Sequence, residues 1–288
     1  FGRTVRNMWV PDVFGFSASL PQILKQAGVD SFVSIKISRS KVNPFPHHTF
    51  QWKGIDGSTV LAHFPPENNY GSQFNPKPFG YSDGLVKAQN NFREGGFLDH
   101  FLTIFGEGDG GGGPADHLVQ RGRMARNLDG VPKVRFGKAS DLLDILHQHR
   151  EELAVWDGEL YLEDHRGVLT SQAWIKNTNR LCETLLRETE IWWSQMPLKQ
   201  YPHAELLRHW RTLLLNQFHD VLPGTSINTV YQEARQQYAQ IVVGLSRLIE
   251  TATTRLAEFC PRRSASGRSL LIFNSLSHTR RDPVCIDA

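Results

Sequence analysis

The amino-acid sequence predicts an α/β fold over its first half, a three-helix bundle after it, and the start of a β region at its end. Three observations carry that reading. Between residues 1 and 150, short apolar runs alternate with helical patterns, the signature of strands linked by helices in a parallel sheet. Past about residue 165 the apolar spacing changes to threes and fours and keeps that period through three long stretches. The last stretch, LLIFNSLSHTRRDPVCIDA, reads as a first strand and turn. The expected parts are residues 1–155, 156–262 and 263–288.

The elements follow in order. SASLPQILKQAGV (17–29) offers Ser17 as a helix N-cap, an apolar face of Leu20, Ile23 and Leu24, and Gly28 as the stop. SFVSIKIS (31–38) is rich in β-formers, and STVLAHF (58–64) is a further strand introduced by the turn pair Asp56-Gly57. HFLTIFGEGD (100–109) is a buried type of apolar run ending in glycines, and KVRF (133–136) is a short strand. A helix is expected from about Ser140 through LLDILHQH. Active sites in such sheets gather at the carboxyl ends of strands. The loop around Asp12 and the glycine-rich loop after Phe105 both hold that kind of position. In the helical part, TSQAWIKNTNRLCETLLRETEIWWSQ (170–195) reads as one long helix. AELLRHWRTLLLNQ (204–217) puts Leu206, Trp210, Leu213 and Leu214 on one face. In the third stretch Val230, Ala234, Tyr238, Ile241, Leu245, Leu248, Ala252 and Leu256 keep the helical spacing.

Bulk composition excludes several function classes. Of 288 residues, 40% are hydrophobic and 21% charged, an ordinary balance for a soluble protein with a sizeable core. With 32 basic and 29 acidic residues the formal charge is +3, too balanced to argue for nucleic acid or an anionic membrane. No apolar run is long enough to span a bilayer, and no signal peptide is visible. The three cysteines, Cys182, Cys260 and Cys285, lie far apart without CxxC spacing, so a reducing, cytoplasmic compartment fits better than a disulfide framework. The chain lacks an initiator Met and begins almost directly in a functional-looking loop, so a fragment is expected.

Several residues are candidates for chemistry. Asp12 sits in WVPDVFGFSASLPQIL (9–24), among Trp9, Phe14 and Phe16 and before a helix that Ser17 already caps. The bland reading is a turn aspartate bonded to local amides. Asp109, in IFGEGDGGGGP (104–114), is a carboxylate at a strand end followed by residues that let a backbone approach a ligand closely; a flexible surface loop is the alternative. His219 and Asp220, in LLNQFHDVLPGTSI (214–227), sit where the apolar stripe of a helix stops. They read either as solvated helix-end residues or as a metal ligand with its orienting partner. Tyr70 lies in the Pro/Asn-rich loop HFPPENNYG, where an aromatic can stack on a sugar or simply pack. His47 and His48 would point to opposite faces of a strand, and His147 and His149 end a polar helix and read as surface. Glu159, Glu163, His165 and Arg166, in WDGELYLEDHRGVLTSQA (156–173), look too concentrated for a surface turn, although a structural salt-bridge network would also explain them.

Taken in order, these stretches, with NPFPHHTFQWKGIDGSTVLAHFPP, resemble the family-38 glycoside hydrolases, the retaining α-mannosidases of the cytosolic and vacuolar type. The resemblance implies that residues 1–155 are the C-terminal part of a parallel β/α barrel, here partial, with residues 156–262 the middle helical domain. It implies that Asp12 is the nucleophile and a zinc ligand, that His219 is another zinc ligand with Asp220 beside it, and that Asp109 is the general acid/base, with Glu107 as a neighbouring alternative. Phe14 matches an aromatic that borders the sugar, and Lys36 and Tyr70 fall where some members place a cation and a tyrosine near the glycone. The implied substrate is a mannoside or mannose-bearing oligosaccharide, whose cis 2- and 3-hydroxyls a zinc ion can chelate. The two carboxyl groups of a retaining pair stand about 5–5.5 Å apart.

The family supplies two further zinc ligands from a His-x-Asp motif ahead of the nucleophile loop, and none precedes Asp12 here. The expectation is therefore weak zinc binding and little activity for these 288 residues alone, with an exposed sheet edge compatible with a homo-oligomer. Two other readings compete. One is a zinc-dependent carbohydrate deacetylase on a related barrel. The other is a sugar-binding or interaction module that has lost its chemistry.

Overall fold

The computed structural model describes residues 2, 4–69, 74, 84–106, 111–260 and 270–283. It divides into two compact units, Phe1–Arg166 and Gly167–Ala288.

The strands of the first unit are β1 (Asn7–Trp9), β2 (Gly15–Phe16), β3 (Ser31–Val33), β4 (Thr49–Lys53), β5 (Thr59–His63), β6 (Val155–Asp157) and β7 (Leu160–Tyr161). Its α-helices are α1 (Leu20–Gln26), α2 (Leu85–Asn91), α3 (Asp116–Met124) and α4 (Ala139–Gln148). Five strands form one sheet in the order β1–β3–β5–β4–β6, and β2 pairs antiparallel with β7 in a separate ribbon. Within the sheet β1–β3, β3–β5 and β4–β6 are parallel, while β4 and β5 form an antiparallel hairpin. Residues 54–58 close that hairpin. Asp56 accepts from the Ser58 amide at 2.8 Å, and Gly57 takes a φ of +86° that a side chain would strain.

Both faces of this sheet are covered. Successive residues of a strand point to opposite sides. Phe32, Val60 and Ala62 accordingly join Phe50, Trp52 and Phe64 in one apolar cluster, while Val33 and Leu61 join Leu143, Leu146 and Phe92 in another. That is the pattern of a parallel-rich sheet between two layers.

Some sequence expectations shift. Helix α1 starts after Ser19, because Ser17 folds into a local turn, accepting from the Ser19 amide at 3.3 Å. Gly28 does end the helix: its amide reaches Lys25 O, and the next amide, Val29, reaches Leu24 O at 2.8 Å, closing the helix end with a left-handed glycine. The described part of 100–109 and the run 133–136 form no strand. Leu102 donates its amide to a histidine ring instead of a ladder, and Phe136 spends its ring on Phe105, Phe74 and Gly122. His147 is not a surface residue: its Nε2 lies 2.8 Å from Ser31 Oγ.

Among the described residues the second unit holds three long helices, α5 (Ala173–Trp193), α6 (His203–Asn216) and α7 (Asn228–Glu258). The buried residues of α7 are Tyr231, Ala234, Tyr238, Ile241, Leu245, Leu248 and Ala252, an unbroken three-four stripe. They pack on Ile175, Cys182, Leu186 and Trp193 of α5 and on Leu206 and Leu213 of α6. Leu214, expected on the inner face, is 57% exposed. The inner positions of α6 are Leu206, His209, Leu213 and Asn216, so two polar residues take places the hydrophobic pattern cannot reveal. Residues 270–283 run without regular secondary structure, Phe273 resting edge-on against Trp192. Among the described residues no helix is long and apolar enough to cross a membrane.

Candidate functional site

Strand register assembles the first half of the site. Trp9, the last residue of β1, pairs with Val33, the last of β3. Asp12 and Lys36 each lie three residues beyond that pair, so two adjacent parallel strands deliver them to the same sheet end. The ladder continues a step further, with the Val10 amide on Val33 O at 2.9 Å, and Ser34 Oγ donates to Val10 O at 2.9 Å. These bonds fix how the two loops leave the sheet. The outcome is an ion pair of 2.8 Å between Lys36 Nζ and Asp12 Oδ1. The lysine side chain is only 13% exposed, while the aspartate is 53% exposed and open to a reactant.

Phe14 completes this corner. Its ring centroid lies 5.2 Å from Lys36 Nζ, within reach of a cation–π contact. On it stacks the imidazole of His165, with centroids 4.0 Å apart and planes at 24°. Asp12, Phe14 and Lys36 are thus brought together, and His165 joins them from the far end of the unit. The crowded run 156–173 was the sequence signal for His165. Its contact was invisible because it depends on the β2–β7 ribbon, which pairs Gly15 with Tyr161 and so carries the segment back beside Phe14. Tyr70 and Asp109, the expected glycone tyrosine and acid/base, lie outside the described residues, as does Glu107.

The sheet end is backed by a buried polar group that sequence reading did not assign. His63 is fully buried, its Nδ1 2.9 Å from Thr49 Oγ1 and its Nε2 accepting from the Leu102 amide at 3.2 Å. Burial pushes it down to about 3, so the ring is neutral. His48, also buried, is pushed down to about 4 for the same reason. Glu94 accepts from the amides of His48 and Thr49 at 3.1 and 3.0 Å, and burial raises its pKa above the ordinary value. These groups are saturated by protein partners, which suits a structural brace.

His219 and Asp220 lie in the second unit. Helix α6 ends at Asn216, and Gln217 anchors the exit: its side-chain amide reaches Asn179 Oδ1 at 3.1 Å and Glu183 Oε1 at 3.0 Å on α5. The loop beyond is stitched by Ser226 Oγ and Tyr231 Oη, both on Asp220 O. Gly224 takes a φ of +94°, and a Cβ there would stand 2.7 Å from Ser171 O, so only glycine fits. His219 is left outward, 75% exposed, with Nε2 3.5 Å from Asp220 Oδ2 and its ring against Phe218.

As metal donors, Asp12 offers a carboxylate oxygen and His219 an imidazole nitrogen, both types that zinc accepts. Among the described residues no group of three or more His, Cys, Asp or Glu side chains is gathered for a metal. Cys182 is no candidate ligand: its thiol is buried and pushed up to about 11.

Comparison with known proteins identifies the family. The family model described as Glycosyl hydrolases family 38 N-terminal domain matches residues 1–159, and that described as Alpha mannosidase middle domain matches residues 163–256. Alpha-mannosidase 2C1 of Homo sapiens is 41% identical over 285 residues, covering 97% of this chain and 26% of its own length. Alpha-mannosidase of Saccharomyces cerevisiae is 37% identical over 265 residues, covering 87% of this chain and 24% of its own. The crystal structure of an alpha-mannosidase from Enterococcus faecalis superposes with a TM-score of 0.66 at 18% identity, over 89% of this chain and 30% of that one, a likeness of fold alone. The chain spans about a quarter of the length of the relatives it matches. It belongs to glycosyl hydrolase family 38.

Proposed function

We propose that this chain is part of an α-mannosidase that cleaves α-D-mannosidic bonds of oligosaccharides with retention at the anomeric carbon. The observation that carries the reading is the corner where Asp12, Lys36 and Phe14 meet at the carboxyl end of β1 and β3, in a chain about 40% identical to proteins named alpha-mannosidase. Asp12 attacks the anomeric carbon as the glycosidic bond breaks and Asp109 protonates the leaving oxygen; water, losing a proton to Asp109, then attacks the same carbon and releases the Asp12 carboxylate. Lys36 holds one oxygen of Asp12, which leaves the other to face the sugar. Phe14 borders the sugar ring, and Tyr70 and Asp220 contact its hydroxyls. Asp12 and His219 would each offer a donor of a type that zinc accepts. When bound, zinc would engage the cis 2- and 3-hydroxyls that distinguish mannose. Widely spaced cysteines suit a cytoplasmic location.

The test is proton NMR of the full-length protein hydrolysing an aryl α-mannoside. The first sugar released should be the α-anomer, and turnover should stop with D12N and with a chelator. Release of the β-anomer, or turnover unchanged in D12N, would overturn the assignment.

A further inference from the structure

We propose that Glu163 is a positioning residue for this site, a strap joining the loop behind Lys36 to the segment that carries His165. The inference rests on the mannosidase reading and extends it to a residue remote in sequence from the nucleophile. Lys36 opens a single 3-10 turn, Lys36–Arg39, whose hydrogen bonds have poorer geometry than those of an α-helix. Ile35 and Ile37, fully buried, fix its start. Its far end leaves at Ser40 into an exposed loop, and there one carboxylate oxygen of Glu163 collects three donors. Ser40 Oγ lies at 2.6 Å, the Val42 amide at 2.8 Å and the Asn43 amide at 2.9 Å. Hydrogen bonds to an ionised acceptor are short and about twice as strong as neutral ones. They hold the Glu163 carboxyl down to about 2.

Two residues after Glu163 comes His165, whose backbone leaves helical geometry at φ −117°, ψ 16° and whose ring stacks on Phe14. The strap therefore has one end behind Lys36, which contacts Asp12, and the other at His165, which contacts Phe14. Removing it frees both at once. A displacement of about 1 Å at a reacting group lowers turnover by up to about 100-fold.

The experiment compares wild type, E163A and E163Q as full-length proteins, by steady-state kinetics on an aryl α-mannoside and by crystal structures. In E163A we expect kcat to fall about 10-fold to 100-fold with KM changed less than about three-fold. E163Q keeps an acceptor of the same reach and should recover most of that loss. The E163A crystal should show Lys36 away from Asp12 and the Phe14–His165 stack lost. A kcat unchanged in E163A, or a fall in melting temperature without a change in kcat, would overturn the proposal. So would a variant structure that retains both contacts. If wild type itself does not turn over a mannoside, the mannosidase reading fails, and the crystal comparison still decides whether Glu163 holds these two contacts.

Discussion

The two units keep their polar groups in opposite ways. In the second, apolar residues spaced by threes and fours do most of the holding, and polar groups enter the inner face at a few places such as His209, Asn179 and Asn216. In the first, the sheet end that carries Asp12 also holds a buried carboxylate and two buried neutral histidines, and Glu163 bonds the loop that follows Lys36. A bundle is specified by repetition and tolerates local change. A site built on strand ends is specified by single contacts between distant residues, so each can be broken alone.

The largest losses are expected from truncations in the two cores. Trp52 is fully buried between the rings of Phe16 and Phe32, with its Nε1 on Gly158 O at 2.8 Å. W52A should cost about 3–5 kcal/mol, against about 2–5 for L245A in α7. Hydrogen exchange of the full-length protein should show the loss in β4 and β5 peptides for the first and in α7 peptides for the second.

Next comes pH. His63 and His48 have lowered values when folded, so the unfolded chain binds more protons than the folded one from about pH 6.5 down towards 4 and 3. Their contribution is whole above about pH 6.5 and is lost as pH falls through that window. Exchange protection in β4 and β5 should drop with acid, and H63L should flatten the slope while costing about 1–3 kcal/mol at neutral pH, because Thr49 Oγ1 and the Leu102 amide lose their partner. A slope unchanged in H63L would assign the acid sensitivity elsewhere.

A local loss is expected in the bundle. The ring of His209 fills the notch at Gly244, where an added Cβ would meet Nε2 at 2.6 Å. G244A should cost about 1–3 kcal/mol by forcing that ring aside, read as faster exchange in α6 and α7. The smallest effect concerns Lys53 and Asp157, a 2.7 Å pair with both side chains well exposed. K53A should change stability by less than about 1 kcal/mol, since exposed pairs contribute little.

These regions also differ in how far the sequence reveals them. The α7 stripe is legible from Ala234 to Ala252 because its period there is local and unbroken, although Tyr231 and not Val230 is its buried start and Leu256 is only partly buried. Its partner α6 misleads at Leu214, because His209 and Asn216 occupy inner positions that no apolar pattern marks. In the first unit, β5 and the end of α1 at Gly28 follow from local turn chemistry. Asp12, Phe14 and Lys36 are named by resemblance, and their meeting is explained by the β1–β3 register. The strap is of another kind: Glu163 and Val42 are 121 positions apart, and nothing local to either predicts the other.

We propose that Asp12 is the nucleophile of a retaining mannosidase. The most direct measurement is mass spectrometry of the full-length protein after reaction with a fluorinated α-mannosyl fluoride that forms the covalent intermediate faster than it is hydrolysed. The expected result is one mannosyl adduct on the peptide containing Asp12, absent in D12N. An adduct on a different carboxylate, or none in an enzyme that still turns over aryl α-mannoside, would contradict it.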